Sequence, residues 1–327
     1  MSARALPIAV AIGVSLNALG TGAAEDWPTR PVTMVVPYAA GGPVDTLGRI
    51  LGSRLSQVLG QQVIIENVGG AGGMTGANRV AKAEPNGYTF LLGGAGNLAE
   101  NQSLYKKPLY NAAIDFAPVT LLADSARILI TRKDLPANTL PEFITYAKAH
   151  QAKMQYASAG AGSGMHICAV LLNMAMSTNI THVPYRGSSP AMQDILAGRI
   201  DFMCEQISTA LPQIQGGAVK AIATLGQARQ PLLAHIPTAP EQGLADLDCN
   251  TWSALVFPRG TPEALVRRLA KATSEVVDSR AVRERLESLG VTVAAPERRG
   301  PEYLAKYIPS EIERWAGPIK ASGVSVD

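Results

Sequence analysis

Three times in this sequence a strand-like run ends in glycines and passes straight into a helical pattern, and that repeat restricts the fold more than any other feature. The β-branched run Val32 to Pro37 leads through Tyr38-Ala39-Ala40-Gly41-Gly42 into a helical pattern from Pro43 to Leu59. A strand from Gln62 to Glu66, a turn ending Gly69-Gly70-Ala71-Gly72-Gly73, a helix from Met74 to Lys82 and a strand from Tyr88 to Leu92 repeat the unit. The third instance runs from Met154 through Ser158-Ala159-Gly160-Ala161-Gly162 into a helix over Ser163 to Met176. Strands alternating with helices predict an α/β fold whose sheets are mostly parallel.

A chain of 327 residues exceeds the roughly 250–300 at which single cores stop growing, and 47% hydrophobic residues supply ample material for two. Further units follow: strands at 181–183, 200–203 and 219–225, with helices at 190–196 and 209–214 between them. The run Thr251 to Pro258 reads as a strand returning to the first lobe, and helices are expected over 262–277, 280–289 and 302–315, with Gly290 and Gly317 as caps. Crossings near 123–128 and 243–252 therefore divide the chain into a first lobe, 25–125 with 246–327, and a second, 126–245. Residues 1–24 read as a secretory signal peptide: Arg4, an apolar run from Leu6 to Leu19, then Gly20 to Ala24. That run falls short of the roughly 20 residues that span a bilayer. No cysteine stands near the junction, so a soluble periplasmic protein without a lipid anchor is expected.

Several function classes fall away. Lys plus Arg is 29 against 26 for Asp plus Glu, and the net +3 is scattered, so no nucleic-acid footprint is present. The four histidines form no i, i+4 pair and Cys168, Cys204 and Cys249 no CxxC, which argues against a metal; one disulfide with a thiol over, or three thiols, remain open. Gly70-Gly72 and Gly160-Gly162 each begin a GxGxxG, but Thr75 and Met165 stand at its last position, and no P-loop motif occurs. No cofactor is expected.

What remains is chemistry for an anion. Glycine lets a ligand approach the backbone, and a helix start presents unpaired N–H groups with partial positive charge. Ser163 and His166 share a helix face, yet the sequence around Ser163 is not the GxSxG elbow of a hydrolase, and Ser163 stands where an N-cap belongs. Tyr185, Arg186 and Gly187 lie at the carboxyl edge of a strand, where open α/β sheets hold ligands, and Glu205 follows another strand at the corresponding edge. Arg186 reads either as a ligand cation or as a solvated charge. Glu205 reads as a holder of a ligand amino group or water, or as a partner of Arg186.

Together these stretches resemble the substrate-binding receptors of tripartite tricarboxylate transporters, the Bug-type receptors. The likeness runs through Trp27 to Pro31, Val36 to Asp45, Glu66 to Ala77, Pro85 to Thr89, Asp115 to Val119, Ser158 to His166, Val183 to Ser188 and Ala197 to Asp201, and on to Pro237-Thr238 and Glu311 to Trp315. The resemblance implies a two-lobed periplasmic binding protein of the type II, Venus-flytrap kind, without catalysis. It implies two pincer loops closing on a carboxylate through backbone amides. The first maps to Tyr38, Ala39, Ala40, Gly41 and Gly42 with Asp45, the second to Ser158, Gly160, Ala161, Gly162 and Ser163 with His166, while Ala95, Tyr185, Arg186, Gly187 and Glu205 line the rest. The family often has Asp at the strand edge where this chain has Glu205, and a Thr-rich loop where it has Gly93 to Asn97. The expected ligand is a small carboxylate-bearing anion (a di- or tricarboxylate, aromatic acid or amino acid), the expected partner a set of integral-membrane transporter subunits, and the expected state a monomer. A secreted serine hydrolase using Ser163 and His166, or a sensor feeding a membrane signalling protein, are the alternatives.

Overall fold

The computed structural model describes residues 27–326, so the expected signal segment lies outside the described residues. The strands are β1 (Val32–Val36), β2 (Val63–Asn67), β3 (Thr89–Gly94), β4 (Phe116–Ser125), β5 (Arg127–Arg132), β6 (Gln155–Ser158), β7 (Thr181–Pro184), β8 (Phe202–Gln206), β9 (Val219–Thr224), β10 (Thr251–Pro258) and β11 (Val291–Val293). The helices are α1 (Pro43–Leu59), α2 (Met74–Ala81), α3 (Asn101–Leu104), α4 (Leu140–His150), α5 (Gly164–Met176), α6 (Ser188–Leu196), α7 (Ile207–Gln215), α8 (Glu263–Asp278), α9 (Arg280–Glu287) and α10 (Pro301–Ala321).

They build two sheets, one in the order β11-β4-β10-β3-β1-β2 and one in the order β7-β6-β8-β5-β9. Each is parallel through its βα units, β2-β1-β3 in the first and β7-β6-β8 in the second. Each turns antiparallel at the strands that carry the chain between them, β4 and β10 in the first, β5 in the second. A single residue, Ala126, separates β4 from β5, and the return leads from β9 into β10.

Apolar spacing fixes the layers. On α1 the buried residues Leu47, Leu51, Leu55 and Leu59 recur every four positions, one stripe of a helix laid on a sheet. Phe90 of β3 and Trp27 both meet the ring of Phe257 edge-on, at 5.7 and 6.3 Å, and close the first core. Phe143 of α4 meets Phe202 of β8 at 5.2 Å in the second. Among the described residues no helix is long and apolar enough to cross a membrane.

Two local expectations change, and one strand is new. Gly317 caps nothing: α10 runs on to Ala321 because Trp315 and Ile319 bury themselves in the first lobe. The glycine-rich stretch after β3 coils into a π-helical turn at Gly96–Glu100, continued by α3. The short β11 pairs with the end of β4. Cys168 and Cys249 form a disulfide and Cys204 is a buried thiol.

Candidate functional site

The two lobes meet across a small chamber of about 40 Å³, room for a few water molecules. Four helices begin at its wall: Gly42, Pro43 and Val44 open α1, Ser163, Gly164 and Met165 open α5, Ser188 opens α6, and Gln206 caps α7. First-turn amides have no partner within their own helix, so each start turns N–H groups and partial positive charge towards its surroundings. Four such starts around one chamber make a cradle for an anion.

Of the residues expected at the site, Tyr38, Gly42, Ala95 and Ser163 line the chamber. Several others frame it. Asp45 is buried and accepts from Gly41 N at 2.9 Å, Arg49 Nε at 2.8 Å and Asn67 Nδ2 at 3.0 Å, so it braces the first loop from behind and consumes the Gly41 amide. Those donors hold its carboxylate below the ordinary range despite burial. The Ala39 amide crosses between the lobes to the Arg186 carbonyl at 3.1 Å. Arg186 therefore takes part through its backbone, while its side chain is exposed. Tyr185 is turned to Asp194, 2.5 Å from its hydroxyl.

The second loop is built from glycine, serine and histidine. Gly160 N donates to Ser158 Oγ at 3.1 Å, and Ser158 Oγ meets His182 Nε2 at 2.7 Å. His166 Nδ1 accepts from Gly162 N at 3.2 Å, which requires the neutral ring. Burial keeps it neutral, pushing His166 down to about 4 and His182, stacked on it at 4.1 Å, down to about 3. Ser163 Oγ accepts from the His166 backbone at 3.3 Å as the helix cap. Tyr105 of the first lobe donates to the Ala161 carbonyl at 2.9 Å, and Gly72 packs so close to that carbonyl that only glycine fits.

Glu205 is fully buried. Its carboxylate accepts from Ser188 Oγ, from Thr209 Oγ1 at 2.8 Å and from Gln206 N at 2.9 Å, so it fastens the starts of α6 and α7 rather than pairing with Arg186. Sequence reasoning missed the far wall: Thr251, Trp252 and Ser253 of β10, and above all Arg127 at the first residue of β5. A charge at the head of the apolar run Arg127-Ile128-Leu129-Ile130 was the available signal, since a buried charge needs a reason.

The chain matches the family model described as "Tripartite tricarboxylate transporter family receptor" over residues 47–324. Among solved structures it is similar to the periplasmic binding protein BugD, with 38% identity, TM-score 0.89, and 91% of this chain and 99% of that one covered. It is similar to MatC of Rhodopseudomonas palustris with bound malate, with 40% identity, TM-score 0.88 and coverage of 90% and 100%. A third, from R. palustris with adipate, is 32% identical with TM-score 0.86 and coverage of 91% and 99%.

Proposed function

The chain belongs to the tripartite tricarboxylate transporter family of receptors, and from that premise we propose that it is an exported monomeric receptor that closes on a small dicarboxylate and delivers it to integral-membrane transporter subunits. The observation that carries the ligand class is the convergence of four helix starts on one chamber between the lobes. Two relatives of this fold hold malate and adipate, both dicarboxylates. Closure is a population shift, because a ligand touching both lobes favours the state in which they meet.

The division into lobes, 25–125 with 246–327 and 126–245, is supported by the one-residue step between β4 and β5 and by the return into β10. Export is supported by the disulfide, which persists in oxidising compartments. Binding without catalysis is supported by the use made of Ser163 and His166: the hydroxyl accepts the cap hydrogen bond, and Nδ1 of the ring accepts from Gly162.

Mature protein, unfolded and refolded to strip retained ligand, is to be screened by thermal shift against succinate, malate, adipate, citrate and glutamate, with calorimetry on each hit. A ligand at 100 times its Kd adds about 2.7 kcal/mol of stability. A dicarboxylate hit is expected; refolded protein that responds to no carboxylate overturns the reading.

A further inference from the structure

We propose that Arg127 is the residue that selects for a second carboxylate, its guanidinium receiving that group on the hinge side of the chamber, beside the start of α5. The proposal rests on the reading of the protein as a carboxylate receptor and assigns the part of the chamber that recognises chain length and charge.

Arg127 is 3% exposed and lines the chamber. Its Nη1 donates to the Cys249 carbonyl at 2.8 Å, whereas its Nε is buried without a hydrogen-bond partner. A buried guanidinium with an unused donor is costly. The cost is compounded by position. Gly164, the first residue of α5, packs so tightly on Nη2 that a β-carbon there would collide with it, so the cation faces the positive end of a helix.

The protein supplies two buried acids near it, Glu100 and Glu205, and neither hydrogen-bonds the guanidinium. Glu100 is fully buried, and neither carboxylate oxygen has a hydrogen-bond partner. Its Oε2 lies 3.0 Å from the same β-carbon position on Gly164, so acid and guanidinium converge there without joining. Burial raises Glu100 to about 7 against the pull of Arg127, so about half of it is neutral near pH 7 and it offsets the cation only in part. Glu205 is held by its three donors. One cation in the chamber wall, beyond helix starts sufficient for one carboxylate, matches an anion with a second carboxylate; guanidinium and carboxylate are complementary in charge and planar geometry.

The test compares each diacid with its half-amide, succinate with succinamate and adipate with adipamate, by calorimetry on refolded wild-type protein. Wild type is expected to prefer the better-bound diacid over its half-amide by at least about 30-fold, in line with truncation of a buried charge pair. Arg127→Gln is expected to reduce that preference to within about 3-fold, the diacid losing more affinity than the half-amide. Equal affinity for diacid and half-amide in wild type overturns the assignment even if the variant fails to fold. An equal loss for both ligands in a folded Arg127→Gln protein makes Arg127 a structural hinge residue and also overturns it. Absence of any carboxylate binding in wild type would defeat the receptor reading itself, a separate result.

Discussion

Arg127 and Cys249 stand 122 residues apart, yet Nη1 of the first donates to the carbonyl of the second at 2.8 Å. One lies at the first passage between the lobes and the other just before the second, where Thr251 pairs in register with Ser125. The two passages thus run side by side beneath the chamber. Cys249 is also tied to Cys168 in α5, whose first turn forms part of the chamber wall. Hinge, pincer and chamber floor are mechanically one unit, which makes the consequences of cutting each tie specific.

Cys168→Ala is expected to lower stability by about 4 kcal/mol, because the bond closes a loop of 81 residues and chain entropy scales with its logarithm. Urea unfolding of oxidised wild type, reduced wild type and the variant checks this. The last two should coincide, and a loss under about 1 kcal/mol would contradict the chain-entropy account.

Asp45→Asn keeps the shape of the brace and removes its charge. The carboxylate serves three donors, from Gly41, Arg49 and Asn67, and an amide cannot accept from all of them. A loss of about 1–2 kcal/mol in stability is expected, with weaker ligand binding because the first pincer loosens. Arg49 contributes little to it, being largely exposed. Denaturant titration and calorimetry together test the expectation; unchanged affinity would detach Asp45 from the site.

Tyr105→Phe removes one hydrogen bond between the lobes, to the Ala161 carbonyl. Because that bond exists only when the lobes meet, its loss is expected to raise Kd by about 5-fold, equivalent to about 1 kcal/mol, while shifting the ligand-free population towards open forms. Small-angle scattering without ligand should report a larger radius of gyration than wild type. The same radius and the same Kd would show that this contact does not govern closure.

The parts legible in the sequence were those written locally. Glycine followed by a helix start, Ser163 as a cap and the βα alternation all depend on a few adjacent residues, and all recur in the fold. The parts that were not legible depend on residues far apart. Gly93 to Asn97 reads as a loop, yet Gly93 and Gly94 finish β3 and a π-helical turn begins at Gly96 because Leu98, Ala99 and Leu104 are buried in the first lobe. Gly317 reads as a cap, yet Trp315 and Ile319 on either side of it find a core to enter. The donors to Glu205 come from α6 and α7, and the importance of Arg127 depends on Cys249 and on Gly164. Propensity has no access to such pairings, and tertiary burial overrides it.

Acid stability gives the most discriminating test of the buried acid beside Arg127. His166 and His182 have folded values of about 4 and about 3 against 6.5 for a free ring, so they bind fewer protons folded than unfolded. Their contribution is complete above pH 6.5 and is lost as pH falls towards those folded values. Glu100 works in the opposite sense. Raised from 4.5 to about 7 by burial, it binds more protons folded, so its contribution is complete below pH 4.5 and is lost as pH rises through about 7. Between about pH 5 and 6.5 the terms oppose each other, and wild type should lose stability only gently on acidification. Glu100→Gln removes the opposing term, and its stability should fall more steeply than that of wild type by up to about 1.4 kcal/mol per pH unit in that window. Urea midpoints at pH 5.0, 5.5, 6.0 and 6.5 for both proteins measure the difference directly; parallel profiles would mean that Glu100 is ionised throughout and already paired with Arg127.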